Sequence, residues 1–202
     1  MKNFDSKKNE FLWDHILNNN FKYCCITMGK ILLISWSPKE WNTYKLLSLI
    51  SDLTNNSNEI ILLKDKNIQE CIGCWFCEKG KGCAIKDDIQ EITQKLLEAD
   101  TIILWSPNYF ANVSGTTKKF IDRLLPLYHS QALKGKKIFL VMPWSSSDIT
   151  NKKYLLQGTF WLVDYQDMKL LWAYGRCTED PVKSKKKMNT IAKQIAKKIS
   201  EK

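Results

Sequence analysis

Cys71, Cys74, Cys77 and Cys83 are four of the chain's seven cysteines, gathered within thirteen residues with two, two and five residues between them. Thiols clustered this closely suggest metal or redox chemistry rather than structural disulfides. A compact four-thiolate set suits a cubane iron–sulfur cluster better than zinc, whose usual layout is two separated cysteine pairs. Gly73, Gly80 and Gly82 let the chain wrap closely and aim N–H groups at sulfur, and Lys79 and Lys81 are expected to favour thiolates and offset the charge of a bound centre. Structural zinc, or four reduced thiols with no metal, are the alternatives that spacing leaves open.

A second candidate is Ser35–Thr43, where Ser35, Ser37, Lys39, Asn42 and Thr43 fall between a strand and a helix. A helix N-terminus with hydroxyls and a lysine favours a phosphate. A plain N-cap by Asn42 or Thr43 explains the same residues without a ligand. There is no GxGxxG and no Walker lysine motif, so a nucleoside triphosphate site is not indicated. His15 and His129, the only histidines, sit in no catalytic constellation, and no catalytic side chain is expected. Cys24 and Cys25 read as small buried hydrophobes. Cys177 has no evident partner, and Asp122-Arg123 reads as a surface pair or a helix–loop anchor.

These residues need a frame. Apolar runs predict strands at 30–35, 59–63, 101–105, 137–142 and 168–174. Helical patterns fall at 44–53, at 88–99 (with Asp88 and Glu91 as a capping box), at 116–127, at 151–165 and in the terminal segment. Strands alternating with helices imply an α/β, doubly wound, five-stranded parallel sheet. Ligands then bind beyond the carboxyl ends of the strands. The loops at 35–43, 66–87, 106–115 and 143–150 all follow strands and are expected on that rim. Residues 1–28 read as an N-terminal extension and 29–202 as one domain.

The net charge of +10 is concentrated at 181–202, which hold eight lysines and one glutamate. Ile191, Ile195 and Ile199 form an apolar stripe there, so the reading is a terminal helix with a solvated lysine face rather than a nucleic-acid surface. No apolar run is long enough to span a bilayer. The first residues lack the apolar stretch of a secretory signal, and a cytoplasmic location is expected.

Ile34-Ser35-Trp36-Ser37-Pro38-Lys39-Glu40-Trp41-Asn42-Thr43 resembles the phosphate loop S-G-S-P-R-x-x-G-N-T of the NADPH-dependent FMN reductases. Ser106–Ser114 with Lys119–Arg123 resembles that family's flavin-ring loop and following helix, and Cys83–Ile89 is also similar. The resemblance runs in order from residue 29 to about 142. The two-two-five cysteine spacing is that of the family's iron–sulfur flavoprotein branch. It implies a flavodoxin-like fold, with Ser35, Ser37, Lys39, Asn42 and Thr43 on the FMN phosphate. It also implies Pro107, Asn108, Tyr109 and Phe110 along the isoalloxazine ring, and a [4Fe–4S] cluster on Cys71, Cys74, Cys77 and Cys83. An electron-transfer flavoprotein follows, with NAD(P)H as possible donor, a redox partner protein, and a homodimer or larger homo-oligomer. Trp36 and Trp41 replace glycines that permit close backbone approach to a phosphate, and Met142-Pro143-Trp144 replaces a third, glycine-rich loop. A cluster-free NAD(P)H-dependent FMN or quinone-type reductase, and a non-enzymatic binding protein on the same fold, are the rival expectations.

Overall fold

The computed structural model describes residues 29–36, 42–54, 58–109, 112–141, 143–144, 169–170, 175–176 and 181–200. The expected helix at 151–165, the extension 1–28 and most of the loop at 143–150 lie outside the described residues.

Three strands of near-unbroken apolar sequence form the centre: β1 (Ile31–Ser35), β3 (Thr101–Trp105) and β6 (Lys137–Val141). They bury both faces, which is why they lack the alternation of a half-exposed strand. β2 (Asn58–Leu62) flanks β1, and β8 (Lys169–Leu170) flanks β6. All pairings in the order β2-β1-β3-β6-β8 are parallel. This is the flavodoxin-like order. Ser35 pairs in register with Leu62 and Trp105, and Trp105 with Val141, so the carboxyl ends finish level.

Alternation along the strands sends side chains to two cores. Leu32, Ile34, Ile102, Leu104, Ile138 and Leu140 pack under helices α2 (Ile89–Glu98), α3 (Gly115–Asp122) and α4 (Leu125–Ser130). Ile31, Leu33, Ile103, Trp105, Phe139 and Val141 pack under α1 (Asn42–Thr54) and α5 (Pro181–Ser200). Ile191, Ile195 and Ile199 are buried in that second core while Lys193, Lys197 and Lys198 are exposed. The terminal charge run is therefore the outer face of a core helix, as its isoleucine spacing implies. Among the described residues no helix is long and apolar enough to cross a membrane.

Several boundaries differ from the sequence expectation. The second strand starts at Asn58 and ends at Leu62, and Leu63 already begins a 3₁₀ turn, Leu63–Asp65. The segment expected as one helix over 116–127 breaks at Arg123 and Leu124, because Pro126 has no N–H to continue the ladder and sits instead in the first turn of α4. The loop at 106–115 contains a small hairpin, β4 (Asn108–Tyr109) with β5 (Asn112–Val113). Of the strand expected at 168–174, Lys169 and Leu170 are described, and Gly175 belongs to β9 (Gly175–Arg176), paired with β7 (Pro143–Trp144). Finally, Asp88 makes no side-chain cap bond on α2. The reciprocal pair is one residue earlier: the Ile89 N–H donates to Asp87 Oδ1 (3.1 Å) and the Asp87 N–H to Gln90 Oε1 (2.8 Å). Asp88 is engaged elsewhere, accepting from the Asn67 N–H at 2.8 Å.

Candidate metal and cofactor site

The cysteine loop leaves the edge strand β2 and returns at the start of α2. Within it Gly73, Gly80 and Gly82 all adopt positive φ (64°, 68° and 73°), the conformation glycine permits. Trp75 takes φ 56° without that freedom, immediately before the short 3₁₀ turn Phe76–Lys79. The Gly80 N–H donates back to Cys77 O (3.1 Å), closing that turn. The path doubles on itself enough to turn all four cysteines toward one cavity. That cavity, of about 220 Å³, is lined by Cys71, Cys74, Cys77 and Cys83, with Arg123, Leu125 and Pro126 among the residues opposite. A single water-sized guest requires only ~10–15 Å³.

The thiols sense one another. Burial pushes the Cys77 thiol up, its own backbone N–H opposes this, and the charges of Cys83, Cys71 and Cys74 add to the rise. Among the described residues no three His, Cys, Asp or Glu are gathered tightly enough to hold one metal ion. Tetrahedral zinc needs its sulfurs about 3.8 Å apart, from a Zn–S bond of about 2.3 Å. Four thiolates are the donor set a cubane takes, and a cavity of about 220 Å³ has room for more than one atom.

What closes the loop is not a cysteine. Arg123, at the break between α3 and α4, is 2% exposed. Its Nη1 donates to Asp87 Oδ2 (2.6 Å) and Gln69 O (2.8 Å), and its Nη2 to Asp87 Oδ1 (3.1 Å) and Ile85 O (3.3 Å). The Gln69 N–H donates to Asp87 Oδ2 at 2.8 Å. Gln69 lies two residues before Cys71, and Ile85 two after Cys83, so this buried fork ties the neck of the loop. Arg123 is held above its ordinary value: burial opposes its charge, but Asp87 and then Cys83 outweigh burial. Asp87 is held below its ordinary value, its burial outweighed by Arg123 and by the Gln69 and Ile89 N–H groups.

Two expectations change here. Arg123 is no surface residue; of the two readings offered by Asp122-Arg123, the helix–loop anchor is the one that holds. Lys79 and Lys81 are exposed and do not line the cavity; the cation that does is Arg123. Sequence reasoning named Arg123 only within one of two readings and gave Asp87 no role. The available signal was an arginine embedded between Phe120-Ile121 and Leu124-Leu125, where a charge needs a buried partner.

The phosphate and ring candidates lie on the neighbouring strand ends. Ser35 ends β1, and Asn42 and Thr43 open α1. Ser37, Lys39, Trp41 and Phe110 lie outside the described residues. Asn108 and Tyr109 form β4, after half-buried Pro107. The loop base is pinned by two buried serines: Ser106 Oγ accepts from the Ser114 N–H (3.1 Å), and Ser114 Oγ accepts from the Thr117 N–H (3.2 Å), capping α3. Trp36 stands against Tyr109 edge-on, ring centroids 5.6 Å apart at 85°, and so joins the two loops. Among the described residues, Ser35 Oγ and Trp105 Nε1 are both buried with no hydrogen-bond partner. They sit at paired positions of adjacent strands, and unpaired donors at that edge suit an acceptor-rich ligand such as a phosphate. Among the described residues, none of these candidates lines the cysteine cavity.

Comparisons with known proteins point the same way. The family described as NADPH-dependent FMN reductase matches residues 29–179. An iron-sulfur flavoprotein of Archaeoglobus fulgidus is 45% identical over 97 residues, 46% of this chain and 48% of that protein. One of Methanocaldococcus jannaschii is 42% identical over 112 residues, 53% of this chain and 58% of that protein. The chain spans about half the length of the relatives it matches. Among solved structures, an FMN-dependent NADH-azoreductase from Bacillus anthracis in complex with FMN superposes with TM-score 0.61 at 14% identity, covering 86% of this chain and all (100%) of that one. A WrbA-like flavodoxin from Agrobacterium tumefaciens gives 0.57 at 14%, covering 85% and 97%. At these identities the likeness shows the flavodoxin-like fold.

Proposed function

This chain belongs to the NADPH-dependent FMN reductase family, and on that premise we propose that it is an electron-transfer oxidoreductase using FMN and a [4Fe–4S] cluster. The observation that carries the cluster half is the cavity of about 220 Å³ with all four thiols on its wall. The named relatives, iron-sulfur flavoproteins, support it. When bound, FMN supplies hydride and single-electron chemistry, and the cluster one-electron chemistry.

The chain's own part is placement. Cys71, Cys74, Cys77 and Cys83 each hold one iron, and the Arg123–Asp87 fork keeps the loop folded around them. Ser35, Ser37, Lys39, Asn42 and Thr43 bind the FMN phosphate, with the orphaned Ser35 hydroxyl as the observation in favour. Pro107, Asn108, Tyr109 and Phe110 line the ring. Trp36, against Tyr109, narrows the entrance between the two loops and keeps water from the ring edge. In this reading no side chain acts as acid or base. NAD(P)H is the donor in this reading. The chain works in the cytoplasm as a homo-oligomer and hands electrons to a partner protein. Exposed Ile72 and Trp75 beside the cavity (70% and 61%) offer an apolar contact for that partner.

The test is the absorption spectrum of anaerobically purified protein together with a flavin fluorescence titration. Flavin bands plus a broad visible shoulder, with FMN taken up stoichiometrically, are expected. Flavin bands without iron favour the cluster-free reductase, and a colourless chain indifferent to FMN favours a binding protein.

A further inference from the structure

Arg123, whose guanidinium ties the neck of the loop, is among the residues lining the cysteine cavity. It is the one cation among the described residues lining that cavity. Of the carboxylates nearby, Asp122 also lines the cavity but is partly exposed and paired with Lys118, and Asp87, which is not in the lining, is paired with Arg123, both side chains fully buried. Arg123 Nε is buried with no hydrogen-bond partner among the described residues. A charge fixed in low dielectric acts strongly on its neighbours, whereas solvent screens Lys79 and Lys81 on the outside of the loop.

We propose that Arg123 is a positioning residue that makes a centre held by the four cysteines easier to reduce, and that Asp87 limits how much of that charge the centre feels. The inference rests on the cluster reading above. Reduction adds one electron to a thiolate-bound centre already negative, with no bond made or broken. A fixed positive charge on its wall stabilises the more negative state, and charge near a cluster is one of the factors that set its potential. Of the buried pair, Arg123 is in the cavity lining and Asp87 is not, so the positive member is the one nearer the thiols.

The experiment is a potentiometric titration with dithionite as reductant, followed by electron paramagnetic resonance, on the full chain after anaerobic reconstitution with iron and sulfide. The double variant Arg123→Gln/Asp87→Asn removes the charge pair without leaving a lone buried charge. In the fraction that holds four irons it is expected to be at least tenfold harder to reduce, a midpoint lower by about 59 mV for one electron. Asp87→Asn alone keeps the cation and one acceptor oxygen, and its midpoint is expected to move the other way. Opposite signs are what a purely structural role cannot produce. Variants that hold four irons with midpoints within twofold of wild type, or that both shift in the same direction, overturn the inference. Thermal melting identifies a variant that fails to fold, in which case the other variant's sign decides. Wild type that takes up no iron removes the cluster reading itself and this inference with it, and its own spectrum distinguishes that case.

Discussion

Asp87 joins three segments with one carboxylate: it accepts from the Gln69 N–H before the cysteines, from the Ile89 N–H at the start of α2, and from Arg123 at the end of α3. Asp88, its neighbour, accepts from the Asn67 N–H alone among these. Breaking a buried ion pair by removing one partner costs about 3–5 kcal/mol, since the other charge stays buried. A lost neutral or singly charged hydrogen bond near the surface costs about 1–2 kcal/mol. Asp87→Ala is therefore expected to lower the unfolding free energy by roughly 3–5 kcal/mol and Asp88→Ala by about 1, read from urea denaturation midpoints at constant slope. Equal effects would restore Asp88 as the cap. At this scale the cysteines were legible in the sequence because thiols at short spacing have few other uses. Arg123 was legible only as one of two readings and its pairing with Asp87 not at all, since the residues lie 36 apart and meet only once β3 and α3 bring Arg123 back to the loop neck.

Elements were easier to read than their ends. β1, β3 and β6 are apolar on both faces, and nothing but a central strand accommodates such runs. Their positions follow from sequence within a residue or two. The break at Arg123 needed Pro126 to be weighed against an otherwise continuous helical pattern, and the hairpin at 108–113 has no apolar period to announce it. The stripe in α5 was legible because Ile191, Ile195 and Ile199 recur every four residues among lysines. This element gives a sharp comparison: Ile195, 1% exposed, closes the second core, whereas Lys197 faces solvent. Ile195→Ala is expected to cost about 2–5 kcal/mol and Lys197→Ala to stay within about 0.5 kcal/mol of wild type. A large loss from Lys197→Ala would show that the basic face is itself bound to something.

For the whole molecule, charge acts through a network linking the loop to the sheet. Lys66 and Lys95 both reach Glu91, at 2.9 and 2.5 Å, and Lys95 also reaches Glu59 at 2.5 Å. Hydrogen bonds from Lys95 and Lys66 hold the Glu91 carboxyl down to about 2. A depressed carboxylate contributes stability that is complete above its unfolded value, about 4.3, and is lost as pH falls toward 2. Thermal melting should thus be flat from neutral pH down to about 5 and drop below about 4.3. Glu91→Gln should flatten part of that drop, and an unchanged acid limb would remove Glu91 from the account. The fold places the four thiols on the loop after edge strand β2, and the described phosphate and ring candidates Ser35, Pro107, Asn108 and Tyr109 at the ends of central strands β1 and β3, and the proposal of two redox sites on one sheet rests on that placement. Its most direct measurement is iron and acid-labile sulfide per chain after anaerobic reconstitution, for wild type and for Cys77→Ser. The account predicts about four of each in wild type, and their loss in Cys77→Ser with FMN binding retained. Iron and sulfide absent from the wild type, or unchanged in Cys77→Ser, would contradict it.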